Sequence, residues 1–176
     1  GFAEMTEIQE KTIPVMLAGR DGIAKAPTGT GKTCAFGIPV AEHIDPEKKY
    51  PQAVIMAPTR ELAQQIAEEL TELTYFMPEV QVACVYGGAN MEKQARRLAE
   101  GCQIVVAAPG RLMDHYKHHS IDLAHVTQVV LDEADEMLNM GFYKDVRHII
   151  ELMKARKSLS MFSATISREV IDIGWL

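Results

Sequence analysis

At 176 residues this chain holds about one domain's worth of sequence, enough to bury a substantial core. Its 47% hydrophobic and 24% charged content is that of a soluble globular protein, with no apolar run of membrane-spanning length and no secretory signal. A net charge of −6 excludes a broadly basic nucleic-acid binder, so any nucleic-acid contact must come from a local patch.

The first strand-like run, Gly22–Lys25, leads into Ala26-Pro27-Thr28-Gly29-Thr30-Gly31-Lys32-Thr33, and a helix-like run over 34–44 follows. Glycines at 29 and 31 let the backbone bend so that successive N–H groups converge on phosphate oxygens. The helix aims its positive dipole end at the same anion. Lys32 can then reach the β/γ-phosphates of a nucleotide, and the Thr33 hydroxyl can ligate Mg²⁺. The general P-loop pattern has glycine where this chain has Ala26; a Gly-rich turn capping a helix is the competing reading.

A charged, proline-containing stretch over 45–51 is linker-like. Beyond it, apolar β-branched runs at 53–57, 80–86, 104–108, 126–131 and 159–162 predict strands. Between them, Leu62, Ile66, Leu70 and Leu73, and later Ile149, Leu152 and Met153, mark apolar helix faces, and a helix-like run closes the chain at 168–176. This alternation predicts an α/β fold: a mostly parallel sheet with helices on both faces and ligands at the carboxyl ends of its strands. At such an end, Val129-Val130-Leu131 delivers Asp132-Glu133-Ala134-Asp135. Asp132 can hold Mg²⁺ through water, and Glu133 can orient or deprotonate a water that attacks a γ-phosphate. An acidic helix start is the alternative. His115, His118 and His119 lie on one helix-like stretch, with His115 and His119 spaced i, i+4. No glutamate completes a zinc hydrolase motif, so a solvated helix face is expected there. Cys34, Cys84 and Cys102, odd in number and without C-x-x-C spacing, point to a reducing, cytoplasmic setting.

Asp132-Glu133-Ala134-Asp135 spells the signature of the DEAD-box RNA helicases, and other motifs of that family's first RecA-like domain stand in order around it. Gly1-Phe2 through Thr6-Glu7-Ile8-Gln9 resembles the adenine-reading Q motif, in part, over 1–9. Residues 26–33 resemble the family's own P-loop variant, which begins with alanine. Pro58-Thr59-Arg60-Glu61-Leu62-Ala63, Gly87-Gly88 and Pro109-Gly110-Arg111 resemble its RNA-backbone motifs, and Gly141-Phe142 with Asp145 a further element near RNA. Ser163-Ala164-Thr165 resembles the motif that links hydrolysis to strand separation.

The resemblance covers nearly the whole chain and implies an ATP-dependent RNA helicase domain that uses ATP and Mg²⁺. It implies nucleotide contacts from Phe2, Thr6, Gln9, Ala26, Pro27, Thr28, Gly29, Thr30, Gly31, Lys32 and Thr33, with Lys32, Asp132 and Glu133 catalytic and Thr33 and Asp132 on Mg²⁺. RNA contacts are implied for Pro58, Thr59, Arg60, Gly87, Gly88, Gly110, Arg111, Phe142 and Asp145, and a coupling role for Asp135, Ser163 and Thr165.

These roles have physical reasons and rivals. Gln9 can pair with the N6/N7 edge of adenine, or simply close a capping box with Thr6. Arg60 and Arg111 have planar forks suited to phosphate oxygens, although a lone arginine is more often solvated. Ser163 and Thr165 are expected to bond toward the 132–135 cluster, against the alternative of capping the next helix. Met5 and Glu7 replace prolines usual in the Q motif, and Ala108 replaces a threonine on the implied RNA path. One RecA-like domain over 1–176 is expected, monomeric and nearly inactive alone, cut from a longer protein. The stacking aromatic would then precede Gly1, and a second RecA-like domain with arginine fingers would follow Leu176. An interaction scaffold that retains the motifs and a DNA translocase on a related fold are the alternatives.

Overall fold

Short runs of Val, Ile, Ala and Leu form central strands buried on both faces, as a parallel sheet between two helical layers requires. The structure is a computed structural model that describes residues 8–9, 22–25 and 32–176. Its strands are β1 (Gly22–Lys25), β2 (Ala53–Met56), β3 (Val82–Val85), β4 (Ile104–Ala107), β5 (Gln128–Leu131) and β6 (Ser158–Ser163). The helices are α1 (Lys32–Glu42), α2 (Arg60–Leu73), α3 (Met91–Ala99), α4 (Pro109–Lys117), α5 (Ala134–Asn139), α6 (Tyr143–Leu152) and α7 (Arg168–Gly174). No helix among the described residues is long and apolar enough to cross a membrane.

All neighbouring strands are parallel, in the order β1-β6-β5-β2-β4-β3. The chain moves one way across the sheet from β1 to β3 and then returns through β4 and β5 to β6. Because parallel crossovers are right-handed, reversing the direction of travel reverses the face on which the helix lies. The side chains obey this rule. Phe36 and Val40 of α1 and Ile66 and Leu70 of α2 pack on Ala53, Ile55, Ile104, Val106, Val130 and Phe162. The alternate strand residues Val54, Met56, Val105, Val129, Leu131 and Met161 face Leu112 of α4, Met137 of α5, Ile149 and Ile150 of α6, and Val170 of α7.

The strands fall within the expected runs at four places, with ends trimmed by a residue or two, and Val80 and Val126 are buried just before β3 and β5. The last strand, β6, extends one residue beyond its run at each end. Local chemistry sets several helix starts. Thr59, Asn90 and Ser167 are N-caps, each accepting a hydrogen bond from the N–H three residues on. The strand register aligns Met56 with Ala107 and with Leu131, and Leu131 with Met161, so the loops that follow β2, β4 and β5 leave the sheet at one level.

Phe36 and Phe162 join α1 to β6 through tilted rings whose centroids are 5.5 Å apart. Both are fully buried. Phe36→Ala is expected to cost about 3–5 kcal/mol of stability with an unchanged denaturant slope, as measured by urea unfolding.

Candidate functional site

The backbone of Asp132 extends the sheet by one rung beyond β5, its N–H donating to Met56 O at 2.9 Å. That rung draws its carboxylate into the interior, where it is 1% exposed. Lys32, the first residue of α1, is also buried, and its Nζ lies 3.0 Å from Asp132 Oδ1. Among the described residues this is the only ion pair with both side chains buried. Burial pushes the Asp132 carboxyl above its ordinary value, even though the Lys32 ammonium and the Glu133 N–H pull it back. Thr33, next along α1, is buried beside the pair in sequence.

Glu133 turns the chain from strand to helix in the left-handed region, at φ 51° and ψ 51°. Its N–H donates to Asp132 Oδ1 at 3.0 Å. A glutamate in this conformation costs on the order of 1–2 kcal/mol, and the neighbouring contacts over-determine it. Asp135 follows on the first turn of α5. Its N–H donates to Ser163 Oγ at 3.2 Å, and the Ser163 hydroxyl donates to Thr165 O at 2.6 Å. Thr165 returns two bonds to Asp135 Oδ2, from its N–H at 3.1 Å and its hydroxyl at 2.9 Å. The expected link between these hydroxyls and the acidic cluster is therefore present, and Ser167 caps α7 instead. The acidic helix start is present as well, because α5 begins at Ala134 with Asp135 and Glu136 in its first turn.

A second set of residues lies along the loops after β2, β3 and β4. The Arg60 guanidinium stacks 4.8 Å from the Tyr86 ring centroid, and Gln64 Nε2 donates to the Tyr86 hydroxyl at 2.9 Å. Gly88 has φ +80°, a conformation that favours glycine, and a Cβ there would be 3.8 Å from Arg60 Nη1. Arg111 Nη1 donates to Ala89 O at 3.1 Å, which ties α4 to the glycine loop. A Cβ on Gly110 would lie 3.8 Å from Phe142 Cε1, so the start of α4 meets the turn into α6. Thr59 and Arg60 are exposed, Pro58 is buried, and Asp145 is half-buried in the first turn of α6.

The structure thus brings Lys32, Asp132, Glu133, Asp135, Ser163 and Thr165 into one cluster and Arg60, Gly88, Arg111, Gly110 and Phe142 into one strip. Gln9 is helical and 6% exposed. Phe2, Thr6, Ala26, Pro27, Thr28, Gly29, Thr30 and Gly31 lie outside the described residues. The solvated histidine face requires correction. Helix α4 ends at Lys117, and His119 takes φ 57°, so the i, i+4 relation is lost. His118 and His119 are exposed, but His115 is fully buried because its side of α4 packs against α3. Sequence reading also passed over Tyr86 and Gln94; an aromatic immediately before Gly87-Gly88 was the available signal for the first.

The pattern of the DEAD/DEAH box helicase family matches residues 6–173. The chain is 50% identical over 174 residues to the ATP-dependent RNA helicase CshA of Listeria monocytogenes, covering 99% of this chain and 33% of that protein. It is 45% identical over 170 residues to the ATP-dependent RNA helicase DeaD of Escherichia coli K12, covering 97% and 27%. Among solved structures, a DEAD box protein from Methanococcus jannaschii superposes with a TM-score of 0.91 at 39% identity, over 99% of this chain and 48% of that one. The chain spans about a third of the length of the curated relatives it matches.

The Asp135 contacts carry a pH signature. Burial alone would raise this carboxyl, but hydrogen bonds led by the Thr165 hydroxyl outweigh it and hold the group below its ordinary 3.8. A carboxylate lowered on folding stabilises above its unfolded value and loses that contribution as pH falls through its folded value. Asp135→Asn should therefore be less stable than the parent at neutral pH, with the gap closing in acid below the ordinary carboxylate range. Urea unfolding across pH measures this, and a gap that stays constant with pH would assign the loss to geometry rather than charge.

Proposed function

This chain belongs to the DEAD/DEAH box helicase family, and from that premise we propose that it is the ATP-binding RecA-like domain, over residues 1–176, of an ATP-dependent RNA helicase. The observation that carries the reading is the buried meeting of Lys32 and Asp132 at 3.0 Å, beside Glu133, at the carboxyl edge of a parallel sheet. A buried ammonium and a buried carboxylate side by side suit a phosphate and its metal, because each charge then has a ligand of opposite sign. Lys32 would hold the β/γ-phosphates, and Thr33 and Asp132 would hold Mg²⁺, which when bound neutralises phosphate charge. Glu133 orients the attacking water and accepts its proton. Gln9 reads the adenine edge.

The strip of Arg60, Gly88, Gly110, Arg111 and Phe142, with its sequence neighbours Thr59, Gly87 and Asp145, binds the RNA backbone, with Pro58 shaping the loop, and little sequence preference follows from such contacts. Asp135, Ser163 and Thr165 couple hydrolysis to strand separation. A second RecA-like domain of the same protein completes both sites, consistent with relatives about three times as long. The setting is cytoplasmic, without membrane attachment.

ATPase assays of the full-length protein with RNA, with DNA and without nucleic acid test the reading, and stimulation by RNA alone is expected. Equal stimulation by DNA would favour a DNA translocase, and no turnover at all a scaffold. Glu133→Gln should keep ATP affinity while lowering turnover by roughly 10²–10⁴-fold, the range for losing a positioned proton acceptor. Lys32→Ala should weaken ATP binding as well. Normal turnover in Glu133→Gln would remove Glu133 from the catalytic role. Calorimetric titration should show tighter binding of ADP than of GDP; equal affinities would remove Gln9 from the adenine-reading role.

A further inference from the structure

Gln94 lies on α3, outside the sequence motifs, yet it is buried and every polar atom of its carboxamide is engaged. Its Oε1 accepts from Arg111 Nη1 at 3.2 Å and faces His115 Nε2 at 3.0 Å. Its Nε2 donates to Tyr86 O at 3.0 Å. Arg111 can only donate and Tyr86 O can only accept, so a flip of the carboxamide would lose both contacts; with Oε1 thus facing His115, the histidine must carry its proton on Nε2. His115 is itself fully buried, and among the described residues its Nδ1 has no partner. The histidine therefore has one polar function here, to hold Gln94.

Arg111 is fixed through one corner of its fork. Nη1 takes Ala89 O, Gln94 Oε1 and Met91 Sδ, the last at 3.7 Å, and Nε lies 3.8 Å from Asp114 Oδ2. Among the described residues Nη2 has no hydrogen-bond partner, which leaves that corner for an acceptor from outside. The same glutamine holds the backbone of Tyr86, whose ring supports Arg60. One carboxamide thus joins the supports of two arginines that stand about fifty residues apart in sequence.

We propose that Gln94, oriented by His115, is a positioning residue that sets Arg111, and through Tyr86 Arg60, for the phosphates of bound RNA. This rests on the RNA reading of Arg111 given above. A flexible arginine would have to be ordered at the moment of binding, and a network that orders it beforehand removes that entropic cost.

The test is a double-mutant cycle in the full-length protein, with affinity for a single-stranded homopolymeric RNA measured across salt concentration. With about three phosphates neutralised, the parent log–log slope is roughly −2. Gln94→Met, which keeps length but no hydrogen bonds, should lower affinity about fivefold and flatten the slope by about 0.7, as Arg111→Ala should. In the Arg111→Ala background, Gln94→Met should add less than about twofold. The same loss in both backgrounds would mean general loosening and would overturn the proposal. If Arg111→Ala weakens binding and Gln94→Met does not, the positioning role fails while the RNA site stands. If Arg111→Ala itself is neutral, both fall. Gln94→Glu guards against a Gln94→Met that does not fold: it keeps the acceptor for Arg111 and His115 but places a carboxylate against the guanidinium. It should flatten the slope by about 0.7 only when Arg111 is present, and an unchanged slope would overturn the proposal.

Discussion

The molecule is organised by a conflict at the carboxyl edge of its sheet. Parallel strands buried on both faces deliver their following loops to one level, and the rung formed by Asp132 carries a carboxylate into the interior there. Taking a charge out of water costs several kcal/mol unless an opposite charge meets it. Lys32 does so from the first turn of α1, which ties that helix to the end of β5. Such a pair is weak evidence for stability, since well-packed apolar residues of similar volume often serve as well or better. Its presence is understandable where two buried charges of opposite sign have ligands of their own to meet.

The fold and the place of the acidic cluster were largely legible in the sequence because each depends on consecutive residues. Val129-Val130-Leu131 followed by carboxylates reads as a strand end without knowledge of its neighbours. The parallel sheet followed from alternation alone, and all five later strands lie at the expected places. Illegible features were those made by contacts between elements. Gln94 and His115 are 21 positions apart, and neither has a local pattern that predicts a buried hydrogen bond to the other. The histidine spacing misled for a related reason. Periodicity assumes that a helix continues, whereas α4 ends at Lys117 and His119, two positions on, is itself left-handed. The carboxylates posed a third difficulty, since a helix start and a reactive site use the same residue types there; the structure shows the helix start and, beside it, the Lys32–Asp132 pair.

The two sets of residues are not spatially independent. Helix α5 has only six residues, about 9 Å of rise, with Asp135 in its first turn and Phe142 just beyond its end. Ala134, Met137 and Leu138 bury its inner face in the core. At one end it is held by Ser163 and Thr165, and at the other Phe142 approaches Gly110. These contacts join the acidic cluster and the arginine strip through one helix.

Glu133 bears most directly on whether this site does chemistry or only holds a nucleotide. Its left-handed backbone is a conformation in which glycine or asparagine would sit with less strain. Lys32 and Asp132 already supply the two buried charges that suit a phosphate and its metal. Retaining a glutamate in a penalised backbone conformation makes sense when the carboxylate itself is needed at that point of the turn. Strained residues of this kind concentrate where surrounding structure fixes a reactive group, and here the fixing contacts are identifiable: the Glu133 N–H on Asp132 before it, and the Asp135 N–H on Ser163 after it. The turn is thus clamped on both sides of Glu133.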